Sequence, residues 1–553
     1  MIDDLWYKNA VIYNLNVGTF MDSNGDGDGD FEGLSRRLDY LSGLGVTCIW
    51  LQPFQPSPHL DSGYDISDYY GVDPRFGSSG DFVDFANQAK QRGIRLIVDL
   101  VVNHTSNQHR WFKAARADRN SRYRDWYTWS KSRPRDYRRG MVFPGVQKET
   151  WSFDKVAKEW YYHRFFDFQP DLNTENPQVR TEIQRIMGYW LELGVSGFRV
   201  DAVPFVIESS EPRRTRRKRT MHYEYLSDFR DFLQWREGDG ILLGEANIMP
   251  KLDMNFFGER DDRMHMMFNF FVNQHVFYAL ASADVKPLEA ALEATSKIPE
   301  YAQWASFLRN HDELDLGRLT KEQRETVYEK FAPDKDMRLY GRGIRRRIAP
   351  MLGNRPQWEM AYSLMFSLPG TPVLRYGDEI GMGDDLSLPQ RNAVRTPMQW
   401  SGEPQAGFST AKKTVAPVIG KGPYSYERIN VESQRLDINS MLNWIERMIR
   451  LRKECPEFGW GTYRILKTGH PSVLGIHYEW RNNSLVTLHN FHEKPCSISL
   501  EIGGGEGAVL SNLLAGEPSH AMPNGKHKIV LEGFGYRWYR VGGLGHLLKR
   551  EKF

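Results

Sequence analysis

Three apolar stretches in this sequence end on carboxylic acids, as if three strand ends each delivered one. Gly197-Phe198-Arg199-Val200 runs into Asp201, Ile241-Leu242-Leu243-Gly244 into Glu245, and Phe307-Leu308-Arg309-Asn310-His311 leads to Asp312. A charge at the end of a buried strand is costly unless it is paired. It is well placed for chemistry at the open, carboxyl end of an α/β barrel. One such acid could be accounted for by a structural ion pair. Three in series, with Arg199 two residues before the first and His311 directly before the third, point to a catalytic site.

A fourth stretch, Asp99-Leu100-Val101-Val102-Asn103-His104-Thr105, precedes them. In order and spacing the four motifs resemble those of the α-amylase superfamily (glycoside hydrolase family 13) of retaining α-glycoside hydrolases and transglycosylases. The resemblance runs from Trp6 to about Phe408 and continues more weakly to the end. It implies a (β/α)8 TIM barrel with an inserted B subdomain and a C-terminal antiparallel β domain. It also implies that Asp201 is the nucleophile and Glu245 the general acid/base of a retaining reaction. The apolar run before Glu245 suits the raised pKa such an acid needs. Asp312 would bind ring hydroxyls and favour the oxocarbenium-like sugar, and Arg199 would keep Asp201 ionised. By the same resemblance His104 and His311 donate to the sugar, Tyr64 is a stacking platform and Asp61 accepts from hydroxyls. Arg391 would pair with Asp61 at the pocket base. Taken alone, Asp61 to Tyr69 reads as an ordinary surface loop.

Four further blocks resemble the trehalose synthase family, which interconverts maltose and trehalose in one closed pocket. They are Arg309 to Thr320, Gly343 to Pro350, Tyr376 to Trp400 and Phe458-Gly459-Trp460-Gly461. Asn247 and Glu313 fall where that family closes its site over the sugar. The family's gating arginine, expected beside Phe143, falls on Gly140, with Arg138 and Arg139 as neighbours, and the loop after Glu208 is shorter and more basic. These departures predict some hydrolysis to glucose beside isomerisation. A hydrolytic α-glucosidase would share every catalytic residue. A silent carbohydrate-binding homologue would lack one of the three acids, and all three are present.

The elements that must position these residues alternate. Val11-Ile12-Tyr13-Asn14-Leu15 reads as a strand, Gly33 to Leu44 as a helix, Cys48 to Gln52 as a strand, Ser79 to Arg92 as a helix and Arg95 to Val102 as a strand; Ile183 to Leu193 is helix-like. Such alternation predicts a parallel sheet with covering helices. After His104 the rhythm breaks into a Trp-, Tyr-, Arg- and Asp-rich excursion too long for a loop. A last helix is expected over about 438–453, then short alternating runs of an antiparallel β domain. The predicted division is 1–104 and 176–465 for the barrel, 105–175 for the subdomain and 466–553 for a β-sandwich.

Asp22-Ser23-Asn24-Gly25-Asp26-Gly27-Asp28-Gly29-Asp30 spaces oxygen donors at alternate positions, as the first part of a calcium loop does. The alternative is an acidic turn. The resemblance supports a structural Ca2+, or Mg2+ in its place, on Asp22, Asn24, Asp26 and Asp30 with the carbonyl of Asp28. It places a second set at Asn103, Asp171, Phe205, Val206 and Glu208. No organic cofactor is expected.

With 73 basic and 70 acidic residues the net charge is +3, which argues against nucleic acid or anionic membrane as a partner. The dense basic run 213–219 therefore reads as a solvated loop. Aromatics at 13%, with 16 Trp, exceed what packing needs and suit flat sugar platforms. The 553 residues call for two or three domains. Cys48, Cys455 and Cys496 show no metal or disulfide spacing. The first residues lack a signal-peptide pattern and no run approaches a membrane span, so the expected setting is the cytoplasm. The expected partner is a small disaccharide, with homo-oligomerisation left open.

Overall fold

The computed structural model describes residues 3–209, 220–502, 508–514 and 516–542; the basic run 213–219 lies outside them. Eight parallel strands close into a barrel: β1 Ile12–Leu15, β2 Cys48–Leu51, β3 Arg95–Leu100, β4 Gly197–Val200, β5 Ile241–Gly244, β6 Met266–Phe268, β7 Gln303–Phe307 and β8 Thr371–Arg375. They stand around the barrel in chain order, so β1 pairs with both β2 and β8.

Side chains alternate across a strand, so every second residue of each strand faces the barrel interior. Ile12, Cys48, Trp50, Ile97, Ile241, Leu243, Met266, Phe268, Ala305, Phe307 and Val373 fill that interior as one apolar cluster. Asp99 follows Ile97 by two on β3 and so shares its face. On β4, Phe198 and Val200 belong to the cluster between strands and helices, which leaves Gly197 and Arg199 pointing inward. The register pairs Asp99 with Arg199. The same parity carries Asp201 and Glu245 inward, one residue beyond the paired positions Val200 and Gly244. Gly197 has φ +150, and a Cβ there would stand 2.3 Å from the Ile241 carbonyl oxygen, so β4 can pack this closely only with glycine.

The covering helices begin where the sequence supplies caps. Ser78 and Asp81 form a capping box on Ser79–Gln91. Asn176 caps Pro177–Glu192, which therefore starts before the expected Ile183. The helix expected over 33–44 is two, Phe31–Arg36 and Leu38–Leu44, which meet at Arg37. Arg37 leaves the helical region at φ -104 and ψ 4, and its guanidinium lies 4.2 Å from the centre of the Trp400 ring.

The excursion after His104 carries a helix, Arg110–Ala117, and a three-stranded antiparallel sheet of Trp129–Ser130, Glu159–Tyr162 and Trp151–Asp154. The bridge from His104 to Asp171 ties it to the barrel rim, and one from Tyr127 to Leu172 closes it on itself. A second excursion, unforeseen in the sequence, follows β7: Leu314–Asp315, Arg338–Leu339 and Gly343–Ile344 form a small sheet. The C-terminal domain sets six strands against a two-stranded sheet, Cys496–Glu501 with Lys526–Leu531, over a separate apolar core. Its first strand, Thr462–Leu466, begins ahead of the boundary expected at 466.

Candidate active site

Arg199 organises the floor of the barrel mouth. It is 1% exposed, and its guanidinium meets Asp99 at 2.7 Å, Asp201, and Glu245 at 2.9 Å. Adjacent strands run about 4.7–4.9 Å apart. Asp201 and Glu245 leave neighbouring strands at the same level, so this register suits the roughly 5–5.5 Å carboxyl separation of retaining glycosidases. Ala202 adopts φ +48, a left-handed backbone uncommon for a residue with a Cβ, and its N–H donates to Glu245 Oε2 at 3.0 Å.

Burial raises the Asp201 carboxyl to about 6, against the pull of Arg199 and with a push from Asp99 and Asp312. Burial raises Glu245 further, to about 7, again opposed by Arg199. Asp99 rises to about 6 for the same reason, burial against Arg199. Burial works against the charge on Arg199 as well, yet Asp99, Glu245 and Asp201 hold its pKa well above the usual arginine value. Burial thus lifts both carboxyls, Glu245 further than Asp201, which is the order that acid/base and nucleophile require.

The third acid does not end a strand. Asp312 lies beyond Phe307, in a loop folded back by Asn273 Nδ2, which donates to Phe307 O at 2.6 Å, and by Arg309, which donates to Asp312 O at 2.6 Å. Burial would raise its carboxyl, but Arg391 at 3.0 Å and Arg395 at 2.8 Å hold it well below the carboxylate range. Arg391 therefore does not pair with Asp61 as expected. Its guanidinium is taken by Asp312 and also by Glu313, at 2.7 Å, and is satisfied there. Asp61 accepts from Gln169 Nε2 at 3.0 Å, and burial lifts its carboxyl to about 6 against Arg391 and Arg395.

The two histidines also differ from expectation. His104 Nε2 donates to the Tyr64 carbonyl at 3.0 Å, and Asn103 Nδ2 donates to its Nδ1 at 3.3 Å, so neither nitrogen is left for a sugar. Burial drops its pKa to about 4. His311 Nε2 meets Tyr64 OH at 2.8 Å, and that hydroxyl donates to Asp99 at 3.0 Å. Both histidines thus orient Tyr64, whose ring lies parallel to His311. Asp99 and Trp50, whose indole donates to Asp99 at 3.1 Å, went unassigned in the sequence; an acid inside the apolar run of β3 was the signal for the first.

Above this floor lies a cavity of about 500 Å3, lined among others by Asp61, Tyr64, His104, Phe143, Asn247 and Glu313 with the three acids. Its roof comes from three segments. Phe143 of the subdomain meets Tyr340 of the second excursion, ring centres 4.8 Å apart, and the Arg391 guanidinium lies 4.7 Å from the Phe143 ring. Arg342 spans the gap, bonding Asp315 at 3.1 Å and donating to the Val142 carbonyl at 3.1 Å. Arg138 and Arg139 are exposed instead, and Gly140 takes φ +80 beside Arg164.

In the acidic loop Asp22 stands at the centre. Its carboxylate accepts from the N–H of Asn24, Gly25 and Gly27 at 3.0, 2.7 and 2.9 Å and from the Ser409 hydroxyl at 2.5 Å. Asp30 caps Phe31–Arg36 through Gly33 N–H at 2.6 Å. Asn24 and Asp26 accept from the amides two residues on, at 2.9 and 2.8 Å. Among the described residues no three His, Cys, Asp or Glu side chains converge as a metal-ligating group. With Asn24 and the Asp28 carbonyl the loop's donors are all oxygen, which fits a hard cation and no softer one. The second set does not fit a metal as it stands. Arg164 pairs with Glu208, lies 4.5 Å from the Phe205 ring centre and donates its N–H to Asp171 at 2.7 Å, while Thr174 donates to the Val206 carbonyl at 2.7 Å. A guanidinium stands among those oxygens, and Asn103 is turned to His104.

A family profile described as the α-amylase catalytic domain matches residues 15–334 and 345–461, and one described as a sucrose hydrolase-like C-terminal domain matches 483–540. The chain is 42% identical over 546 residues to a trehalose synthase of Thermus thermophilus, covering 98% of this chain but only 56% of that relative. It is 39% identical over 551 residues to the trehalose synthase of Pimelobacter sp. (strain R48), covering 97% of this chain and 96% of the relative. Among solved structures, the trehalulose synthase MutB of Pseudomonas mesoacidophila MX-45 superposes with TM-score 0.78 at 26% identity, over 97% of this chain and 99% of that one.

Proposed function

Because the chain belongs to the α-amylase family, we propose that its pocket transfers a glucosyl unit with retention and interconverts maltose and trehalose, releasing some glucose. The observation that carries this is the placement of Asp201 and Glu245 at one level on neighbouring strands, both held by Arg199. Glu245 protonates the glycosidic oxygen while an Asp201 oxygen bonds to the anomeric carbon and the old C–O bond breaks. The detached glucose turns, and its anomeric hydroxyl attacks the glucosyl carbon. Asp201 leaves and the proton returns to Glu245, which yields the α,α-1,1 bond. Confinement makes this second step effectively intramolecular. Water in the same place gives two glucoses, and the glycine at position 140 supports such leakage.

The acidic loop would hold Ca2+, with Mg2+ as a substitute, on Asp22, Asn24, Asp26 and Asp30 and the Asp28 carbonyl. It would supply rigidity and no step of the reaction. The oxygen-only donor set supports this reading. No described helix is long and apolar enough to cross a membrane. Three free thiols, two of them buried, accord with a reducing cytoplasm.

The test is incubation with maltose alone and with trehalose alone. Each should give the other, with a minor share of glucose, and labelled glucose added during turnover should enter the product only slightly. Glucose as the sole product at every maltose concentration would assign the protein to the α-glucosidases.

A further inference from the structure

Asn247 reaches the pocket from the end of β5, and three hydrogen bonds decide which end of its amide the sugar meets. Its Oδ1 accepts from Arg318 Nε at 3.1 Å and from Gln274 Nε2 at 3.4 Å. Gln274 Oε1 in turn accepts from the main-chain N–H of Arg318 at 2.7 Å. A backbone N–H can only donate, so the oxygen end of Gln274 must face Arg318 and its NH2 end must face Asn247. The Asn247 oxygen is then engaged twice. Its Nδ2 meets no protein acceptor among the described residues and is left as a donor at the cavity wall. Arg318 also donates to the Asn247 carbonyl, so the loops after β5 and β7 are clasped through the helix Phe270–Ser282 that carries Gln274.

Gln274 is 0% exposed. A buried carboxamide in a largely apolar helix is costly unless its bonds are made, and here they are spent on one neighbour's orientation. We infer that Gln274 is a positioning residue: it relays the polarity of the Arg318 amide to Asn247, so that the pocket presents an N–H donor to an oxygen of the detached glucose. This rests on the proposed transfer reaction and deepens it. A sugar oxygen held by a donor of fixed direction stays close enough to attack the glucosyl carbon before water does.

The experiment compares wild type with Q274E. A carboxylate still accepts from the Arg318 amide but cannot donate, so Asn247 Oδ1 keeps only Arg318 Nε and is repelled by the new oxygen, and Nδ2 is no longer held toward the pocket from both sides. The trehalose-to-glucose ratio from maltose should fall roughly three- to tenfold, the worth of one hydrogen bond. Hydrolysis of an aryl α-glucoside, which uses Asp201 and Glu245 but has no second sugar, should stay at the wild-type rate. On an N247A background Q274E should add nothing further. If Q274E does not fold, Q274M, which lacks both donor and acceptor, is read in the same way. An unchanged product ratio in the folded variant, or aryl glucoside hydrolysis falling in parallel, overturns the inference. Should wild type itself form no trehalose, the transfer reading fails on its own. The positioning is then judged by the maltose KM, expected to rise three- to tenfold in Q274E and overturned if it does not move.

Discussion

At the scale of single residues the floor is a set of charges tuned against one another. The two working carboxyls must be in opposite protonation states. In the proposed transfer Asp201 works ionised, so activity should be lost as pH falls through about 6. Glu245 would work protonated, so activity should be lost as pH rises through about 7. The dependence of kcat/KM on pH should therefore be a bell with its maximum between those values, measured on an uncharged α-glucoside. A profile flat across both would remove the assignment. Asp201, Glu245 and Arg199 could be placed from the sequence because each interrupts or ends an apolar run, whereas Asp312 stands in a polar loop beyond β7 and not at a strand end. The histidine roles were not, since which proton His104 or His311 can spare depends on Asn103 and Tyr64, partners that only the fold supplies.

At the scale of elements, period-2 alternation explains most of what could be read. Parity on β3, β4 and β5 decides that Asp99, Arg199, Asp201 and Glu245 all face one interior. The break at Arg37 was not legible, since no glycine or proline marks it in the sequence. The excursion after β7 was missed because its strands are two residues each, too short for any periodicity. The acidic loop carries its own test. Gly25 and Gly27 sit at φ +81 and +99, and a Cβ on Gly27 would stand 2.2 Å from the Lys413 carbonyl, so the wrap is closed by backbone contact. A cation bound only by this closed form stabilises the fold by mass action. A chelator should lower Tm by several degrees and addition of Ca2+ should restore it. A Tm indifferent to chelator would leave the loop as an acidic turn held by its own amides.

At the scale of the whole molecule, the C-terminal domain is bolted to the barrel through buried polar contacts. Glu457 is 0% exposed and pairs with Arg540 of the last strand. Trp538 and His489 both meet Ser363, each at 3.0 Å, on the helix Arg355–Ser367. Removing one partner of a buried pair costs about 3–5 kcal/mol because the other charge is left alone. E457A should lower stability by that order, and barrel and C-terminal signals should be lost in one transition. Separate transitions in calorimetry would show the two parts to be independent. The antiparallel C-terminal domain was visible in the sequence as alternation, but nothing in Glu457 announced Arg540, 83 residues on, as its partner.

The pocket is built from two inheritances. Its floor belongs to strand register, which cannot shift without turning every side chain to the other face. Its roof is borrowed from three separate segments, joined by ring contacts and by hydrogen bonds such as those from Arg342 to the Val142 carbonyl and from Tyr340 to Gln390. The floor fixes which bond is broken and on which side it is remade. In the proposed transfer the roof would act as a clock, setting how long the leaving sugar lingers before solvent arrives. The same stereochemistry can therefore be retimed from isomerase toward hydrolase by changes confined to loops, with the barrel left untouched.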